Sequence, residues 1–216
     1  MLSFALVMGV SCESDDTEVT PEVDAATLWF EVDGSVKSFA TIAISQKPSV
    51  PEIGDYLDGG IVFWISSDET QAKIMSTDDG YEFYAATDTT TDLGASDYYD
   101  GAANTAAAMA HENYTAEAFP AFAWCANHGD GWYMPAADEL DDLVMTLCNN
   151  AMNTKLAAAG YEEMQVNQYY WASTESSTIS KAYAVKVKTL TDTEASVGTY
   201  SRANDRYIRA IKVVDL

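Results

Sequence analysis

Helical periodicity in the middle of the chain and strand patterning on both sides of it predict an α+β fold. Three stretches carry that prediction. Gly129 to Leu143, GDGWYMPAADELDDL, packs a glycine turn, a short apolar run, a proline stop and a helix start into one segment. Asp138, Glu139, Asp141 and Asp142 put negative charge in the first turns, where the helix dipole favours it, and Leu140, Leu143, Val144 and Leu147 recur at helical spacing. Ala182 to Lys188 alternates as a strand does, and Tyr207 to Val214 reads as a closing strand. Thr27 to Ser45 places LWFEV and FATIAI on either side of Asp33-Gly34, the dipeptide of a tight hairpin turn.

Taken in order, the chain opens on the apolar run Met1 to Ser11, too short for a membrane-spanning helix, which takes about 20 residues. The run resembles the end of a bacterial lipoprotein signal, with Gly9-Val10-Ser11 ahead of Cys12 as the lipidated residue. Gly9 stands where Leu is usual, and no Lys or Arg precedes the run. The acidic residues after Cys12 resemble a signature for the outer face of Gram-negative cells. A lipid-anchored, surface-exposed outer-membrane protein is therefore expected, with a periplasmic one as the alternative and a cytosolic one as the competing reading. Residues 1–12 form the signal, 13–26 an acidic tether, and 27–50 a β-hairpin or small β-module closed by the break at Lys47 to Pro51.

The main domain is expected over 53–216. Ile61 to Ile65 reads as a buried strand after a Gly-Gly turn, and Ala72 to Ser76 as its partner. Gly80 to Ala103 reads as loop with short strands. Asn104 caps an Ala-rich helix to His111, Phe119 to Asn127 continues helical after Pro120, and Ala136 to Asn149 is followed by a weaker helix, Ala151 to Ala159, stopped by Gly160. Tyr169 to Ala172 returns to strand, with a turn near Thr193 to Gly198.

Composition bounds the function. A length of 216 residues allows one main domain, and 48% hydrophobic residues with 13 Tyr and 5 Trp require a folded one. The 11 basic and 34 acidic residues leave a net charge of -23, which repels nucleic-acid phosphates and anionic lipid headgroups. A protein or glycan partner is expected, with no nucleic acid and with membrane contact only through the lipid.

At this point the ordered motifs IGDYLDGGIVFWI, GAANTAAAM, GWYMPAADEL, YYWASTE and RYIRAIKV resemble the C-terminal domain family of collagen-like bacterial surface proteins, the Lcl-C family. The resemblance runs from about Ile53 to Val214. It implies a C-type-lectin-like fold, two helices packed on a small twisted antiparallel sheet, here preceded by the N-terminal hairpin. It also implies framework roles for Trp132, Pro135, Leu140, Trp171, Ser173, Thr174, Glu175 and Arg209, with Trp171 anchoring the core and Ser173 to Glu175 bonding a turn. The ligand face implied by analogy comprises Ser176, Ser177, Thr178, Ser180, Thr199, Tyr200, Arg202, Asn204 and Asp205, a composition common in adaptable binding loops. An ordinary polar loop is the competing reading.

Chemistry is sparse beside this. Cys125 and His128, with His111 and Cys148, match no standard zinc spacing, so no metal and no cofactor is expected. Cys125 and Cys148 are a possible disulfide in an exported chain, against two separately buried thiols. Sugar-binding lectins use Glu-Pro-Asn or Gln-Pro-Asp with Trp-Asn-Asp, whereas Trp171 is followed here by Ala172 and Ser173, and calcium loops of the D-x-D-x-D-G kind are missing. Formylglycine-generating oxidases of similar fold need a late cysteine pair, and no cysteine follows Cys148. Asp138, Glu139, Asp141 and Asp142 read as a solvated helix face rather than an acid-base pair. The expected function is therefore non-catalytic recognition at the cell surface, adhesin-like or receptor-like. A variable receptor diversified by a retroelement is the alternative, and the oxidase is disfavoured.

Overall fold

The computed structural model describes residues 28–30, 36–38, 50–149, 152–188 and 196–216. The signal, the lipidation expected at Cys12, the tether and the Asp33-Gly34 turn lie outside the described residues. Among those described, the order is β1 (Leu28–Phe30), β2 (Val36–Ser38), β3 (Tyr56–Leu57), β4 (Gly60–Ile65), β5 (Gln71–Met75), β6 (Gly80–Phe83), α1 (Gly101–Ala110), α2 (Pro120–Ala126), α3 (Ala137–Asn149), α4 (Met152–Ala159), β7 (Tyr169–Glu175), β8 (Lys181–Lys186), β9 (Ser196–Ser201), β10 (Asp205–Ile208) and β11 (Ile211–Asp215). The α+β expectation holds.

Two sheets form, ordered β11-β5-β4-β3-β1-β2 and β6-β10-β7-β8-β9. Strands β1 and β2 pair antiparallel as a hairpin in which Val36–Ser38 stands opposite Leu28–Phe30, while the FATIAI run expected as the second strand lies outside the described residues; Leu28 of β1 also pairs with Tyr56 of β3. Asp58 and Gly59, both at positive φ, turn β3 into β4. Central strands β4 and β7 carry nearly continuous buried runs because each is covered on both faces. Val62 and Trp171 enter one core with Ile74, Tyr84, Phe119, Phe122 and Cys125. Their neighbours Ile61, Phe63 and Tyr170 enter a second core with Leu140, Leu143, Val144, Leu147 and Met152.

The structure departs from the expected architecture in several places. The four helices among the described residues are those read from the sequence, where the resemblance implied two, and the second sheet is mixed, since β10 runs parallel to β7 at Tyr207 and Tyr170. The closing strand is not continuous: β10 lies in one sheet and β11 in the other. The break falls at Arg209 and Ala210, where a fully buried guanidinium places its Nε 2.6 Å from Asp79 Oδ1 and donates through Nη1 to the Ser76 carbonyl. Apolar residues continue on both sides of this break and therefore hide it.

Helix α1 starts at Gly101, and its N-cap is Asp100, whose Oδ1 accepts from Ala103 N–H at 2.8 Å. Asn104 is instead buried one turn in, accepting from Asp97 N–H and donating to Ser173 Oγ. Glu139 is no solvated residue of α3: it is 4% exposed. Its Oε2 accepts from Gly101 N–H and Ala136 N–H, and its Oε1 from Lys73 Nζ and the Tyr133 hydroxyl.

Candidate functional site

The turn between β7 and β8 and the turn between β9 and β10 meet at one end of the second sheet because β8 pairs along its whole length with β9. The Arg202 N–H donates to the Ser180 carbonyl at 3.0 Å, which ties the two turns together. A third segment, 91–96, is drawn onto them by Glu175, the last residue of β7. Its Oε1 accepts from Leu93 N–H and its Oε2 from Ala95 N–H, each at 3.1 Å. Between the three segments lies a cavity of about 350 Å³ lined by Asp92, Ser96, Glu175, Ser176, Ser177, Ile179 and Arg202.

Charge in the cavity is arranged in two layers. The floor is the ion pair between Arg202 Nη2 and Glu175 Oε1 at 2.7 Å, with Arg202 only 1% exposed. Arg202 also donates from Nη1 to the Thr91 carbonyl and from Nε to the Lys181 carbonyl, and its guanidinium lies 5.2 Å from the Tyr84 ring. Burial pushes the Glu175 carboxyl up, against the pull of Arg202. The rim is open: Asp92, Ser96 and Ser177 are exposed, and Ile179 is 48% exposed. Asp92 is held down chiefly by the Gly94 N–H that donates to it, so the rim carries a carboxylate. A carboxylate, three serine hydroxyls and one apolar side chain can accept and donate hydrogen bonds to a small polar group without bond-making chemistry.

The residues expected on the ligand face divide accordingly. Ser176, Ser177 and Arg202 line the cavity, and Ser180 and Thr178 shape its turn through backbone bonds. Arg202 is not the free contact expected: Glu175 and two backbone carbonyls occupy its donors, so it positions the site from below. Thr199 and Tyr200 lie along β9, opposite Tyr183 and Ala182, and Asn204 and Asp205 are exposed at the β9–β10 turn. Asp92 and Ser96 were not foreseen. They reach the site through Glu175, about 80 positions away in sequence, and through the bond of Arg202 to the Thr91 carbonyl.

Framework residues are bound into the two cores and the segments around them. Trp171 is fully buried and packs edge-on at 5.7 Å against Tyr84. Ser173 to Glu175 bond not a turn of their own but neighbouring segments: Ser173 N–H donates to the Pro135 carbonyl, and Thr174 Oγ1 accepts from Ala137 N–H at the start of α3. Trp132 covers Gly60, where a side chain would meet its ring at 2.8 Å, and Leu140 is fully buried in the second core.

Cys125 is a buried free thiol, so the bridge to Cys148 is not formed. Cys125 points into the first core while the buried face of α3 supplies the second, which separates the two helices' inner faces. The side chain of Cys148 lies outside the described residues. Burial pushes the Cys125 thiol well up, and His128 bonds elsewhere, to the Trp124 carbonyl and to Asp78. Among the described residues, no three His, Cys, Asp or Glu side chains group as metal ligands, and no helix is long and apolar enough to cross a membrane.

Comparison with known proteins places the fold but not a family. No family model matches the chain, and no curated protein matches it. Its structure is similar to that of a fimbrial protein from Bacteroides ovatus ATCC 8483, with a TM-score of 0.56 and 18% identity, over 86% of this chain and 48% of that one. The chain thus spans about half the length of that structure. The likeness is one of fold.

Proposed function

We propose that this is a non-catalytic surface binding protein, adhesin-like or receptor-like, that takes a protein or glycan ligand at the cavity framed by 91–96, 176–180 and Arg202. One observation carries the reading: a buried ion pair fixes three loops around an open rim of serine hydroxyls and the Asp92 carboxylate. The sequence motifs of an Lcl-C domain, the C-type-lectin-like fold they imply and the lipid anchor at Cys12 belong to the same reading, as does exposure at the outer membrane. Similarity to a fimbrial protein is in keeping with a surface role.

Arg202→Ala is a poor probe, because it leaves Glu175 buried without its cation, at a cost of about 3 kcal/mol or more. Ser177 is exposed at the rim and suits the purpose. A glycan and surface-protein array probed with the full chain and with Ser177→Tyr is the test, the new ring filling the cavity mouth. Ligand signal lost roughly tenfold or more is expected, about 1.4 kcal/mol of excluded contact. Unchanged signal in the variant moves the ligand off this cavity.

A further inference from the structure

The protein's arginines are not equivalent. Arg202 and Arg209 each hold a buried carboxylate, Glu175 at 2.7 Å and Asp79 at 2.6 Å. Arg206 holds none among the described residues, in a chain of net charge -23. Glu82 stands opposite it in register across β6 and β10, yet no ion pair forms within 4 Å. The guanidinium is instead walled by three rings, with Cζ 4.3 Å from the Tyr200 centroid, 4.8 Å from Tyr169 and 5.0 Å from Trp171.

Two donors at this place have no acceptor. Arg206 Nε and the indole Nε1 of fully buried Trp171 are both removed from solvent and unbonded. A buried donor without a partner costs about 1 to 3 kcal/mol, and of these two side chains the part-exposed Arg206 is the one that an acceptor from outside can reach. Lys186 Nζ adds a second cation, 5.8 Å from the Tyr169 ring. Tyr169 and Tyr200 lie side by side, 4.7 Å apart and inclined by 56°. Gly198 leaves room for the Tyr200 ring, whose hydroxyl would come 3.0 Å from any Cβ there. Both tyrosines are half-buried and pack outward from the first core, so the platform has an open side.

We propose that this face of the five-stranded sheet, formed by Arg206, Tyr169, Tyr200 and Lys186, binds a carboxylate-bearing sugar ring. The guanidinium fork donates to a carboxylate in two-point geometry, and Lys186, which shares the Tyr169 ring with it, adds positive potential to the face. The tyrosine rings offer flat apolar area to the C–H face of a pyranose. An acidic peptide suits the place less well: Arg206, Tyr169 and Lys186 stand on the interior strands β10, β7 and β8, so the site is on the face of the sheet, whereas an extended chain would pair at the edge strand β9. The site is separate from the loop cavity and stands whether or not that cavity binds.

The test titrates the full chain with a galacturonic acid oligosaccharide, a neutral galactose oligosaccharide of the same linkage and a polyglutamate peptide, by calorimetry and by the NMR signals of the indole N–H groups. The acidic sugar is expected to bind, to shift the Trp171 indole signal and to weaken with added salt. Arg206→Gln is expected to weaken it roughly tenfold or more and Lys186→Gln a few-fold, while Ser177→Tyr leaves it unchanged. Lys186→Gln, at the edge of the platform, serves as the reporter if Arg206→Gln lowers the melting temperature. Absence of acidic-sugar binding, equal affinity for the neutral sugar, tighter binding of polyglutamate, or full affinity in both charge variants overturns the proposal. Loss of array binding in Ser177→Tyr with acidic-sugar binding intact separates the two sites.

Discussion

Replacing Glu139 by Ala leaves Lys73 Nζ, the Tyr133 hydroxyl and the N–H groups of Gly101 and Ala136 without their shared acceptor. Because Lys73 keeps some access to water, the expected loss is about 3 kcal/mol, the low end for breaking a buried pair. Urea denaturation measures it, and Glu139→Gln, which keeps one acceptor oxygen, is expected to fall between the two. In sequence this residue is indistinguishable from Asp138, Asp141 and Asp142: all four sit in the same acidic run and satisfy the same dipole rule. What separates them is the first turn of α1 and Lys73 of β5 brought against one helix face, and neither is adjacent in the chain. Trp171 was easier to read, since a large aromatic in an apolar strand has few places to go but the core.

Helix α1 makes the same point for an element. Gly101 occupies its first turn, where helix propensity alone favours Ala by about 1 kcal/mol. A Cβ at this position would come within 2.5 Å of Ala136 N and Met134 O, both backbone atoms, and 2.6 Å of Glu139 Oε2. Gly101→Ala is therefore expected to destabilise the protein by about 1 to 3 kcal/mol despite its better propensity, as overpacking does. Thermal melting of the two forms decides between the terms: a higher melting temperature for the variant shows that the neighbouring backbone gives way. The helix itself was legible from its alanines, but its start was not. Asn104 is as good a cap as Asp100 by residue type, and only the contact of Asn104 with Asp97 and Ser173 removes it from the helix end. The long final strand failed for a related reason, because a strand that changes sheet keeps its β-favouring apolar residues while its partners change.

Over the whole molecule, the acids whose shifts can be resolved above the ordinary aspartate range pull in one direction. Burial pushes both Asp55 and Asp79 up from 3.8 to about 6, in Asp79 against the pull of Arg209. A folded-state value above the unfolded one means that the native state binds more protons between the two. Stability from these groups is then complete below 3.8 and is lost as pH rises through 6. Mutual repulsion within a net charge of -23 acts the same way. Urea midpoints are expected to fall between pH 4.5 and pH 7.5, the window that follows from the linkage relation. Asp55→Asn, which keeps an oxygen for the Glu52 N–H, is expected to make that fall shallower. A midpoint that rises with pH in the parent protein contradicts the assignment. By itself the sequence determined the α+β class, the place of the hairpin, the helical stretches and the apolar runs that make the cores, because periodicity and turn residues act over a few positions. Only the tertiary structure decided that the chain makes two sheets joined at Arg209, that Glu139 and Arg202 are buried supports, and that Asp92, Ser96 and Arg206 stand at open sites. Those assignments depend on which distant segment comes to lie against a residue, and burial, the force that brings the segments together, is blind to their order in the chain.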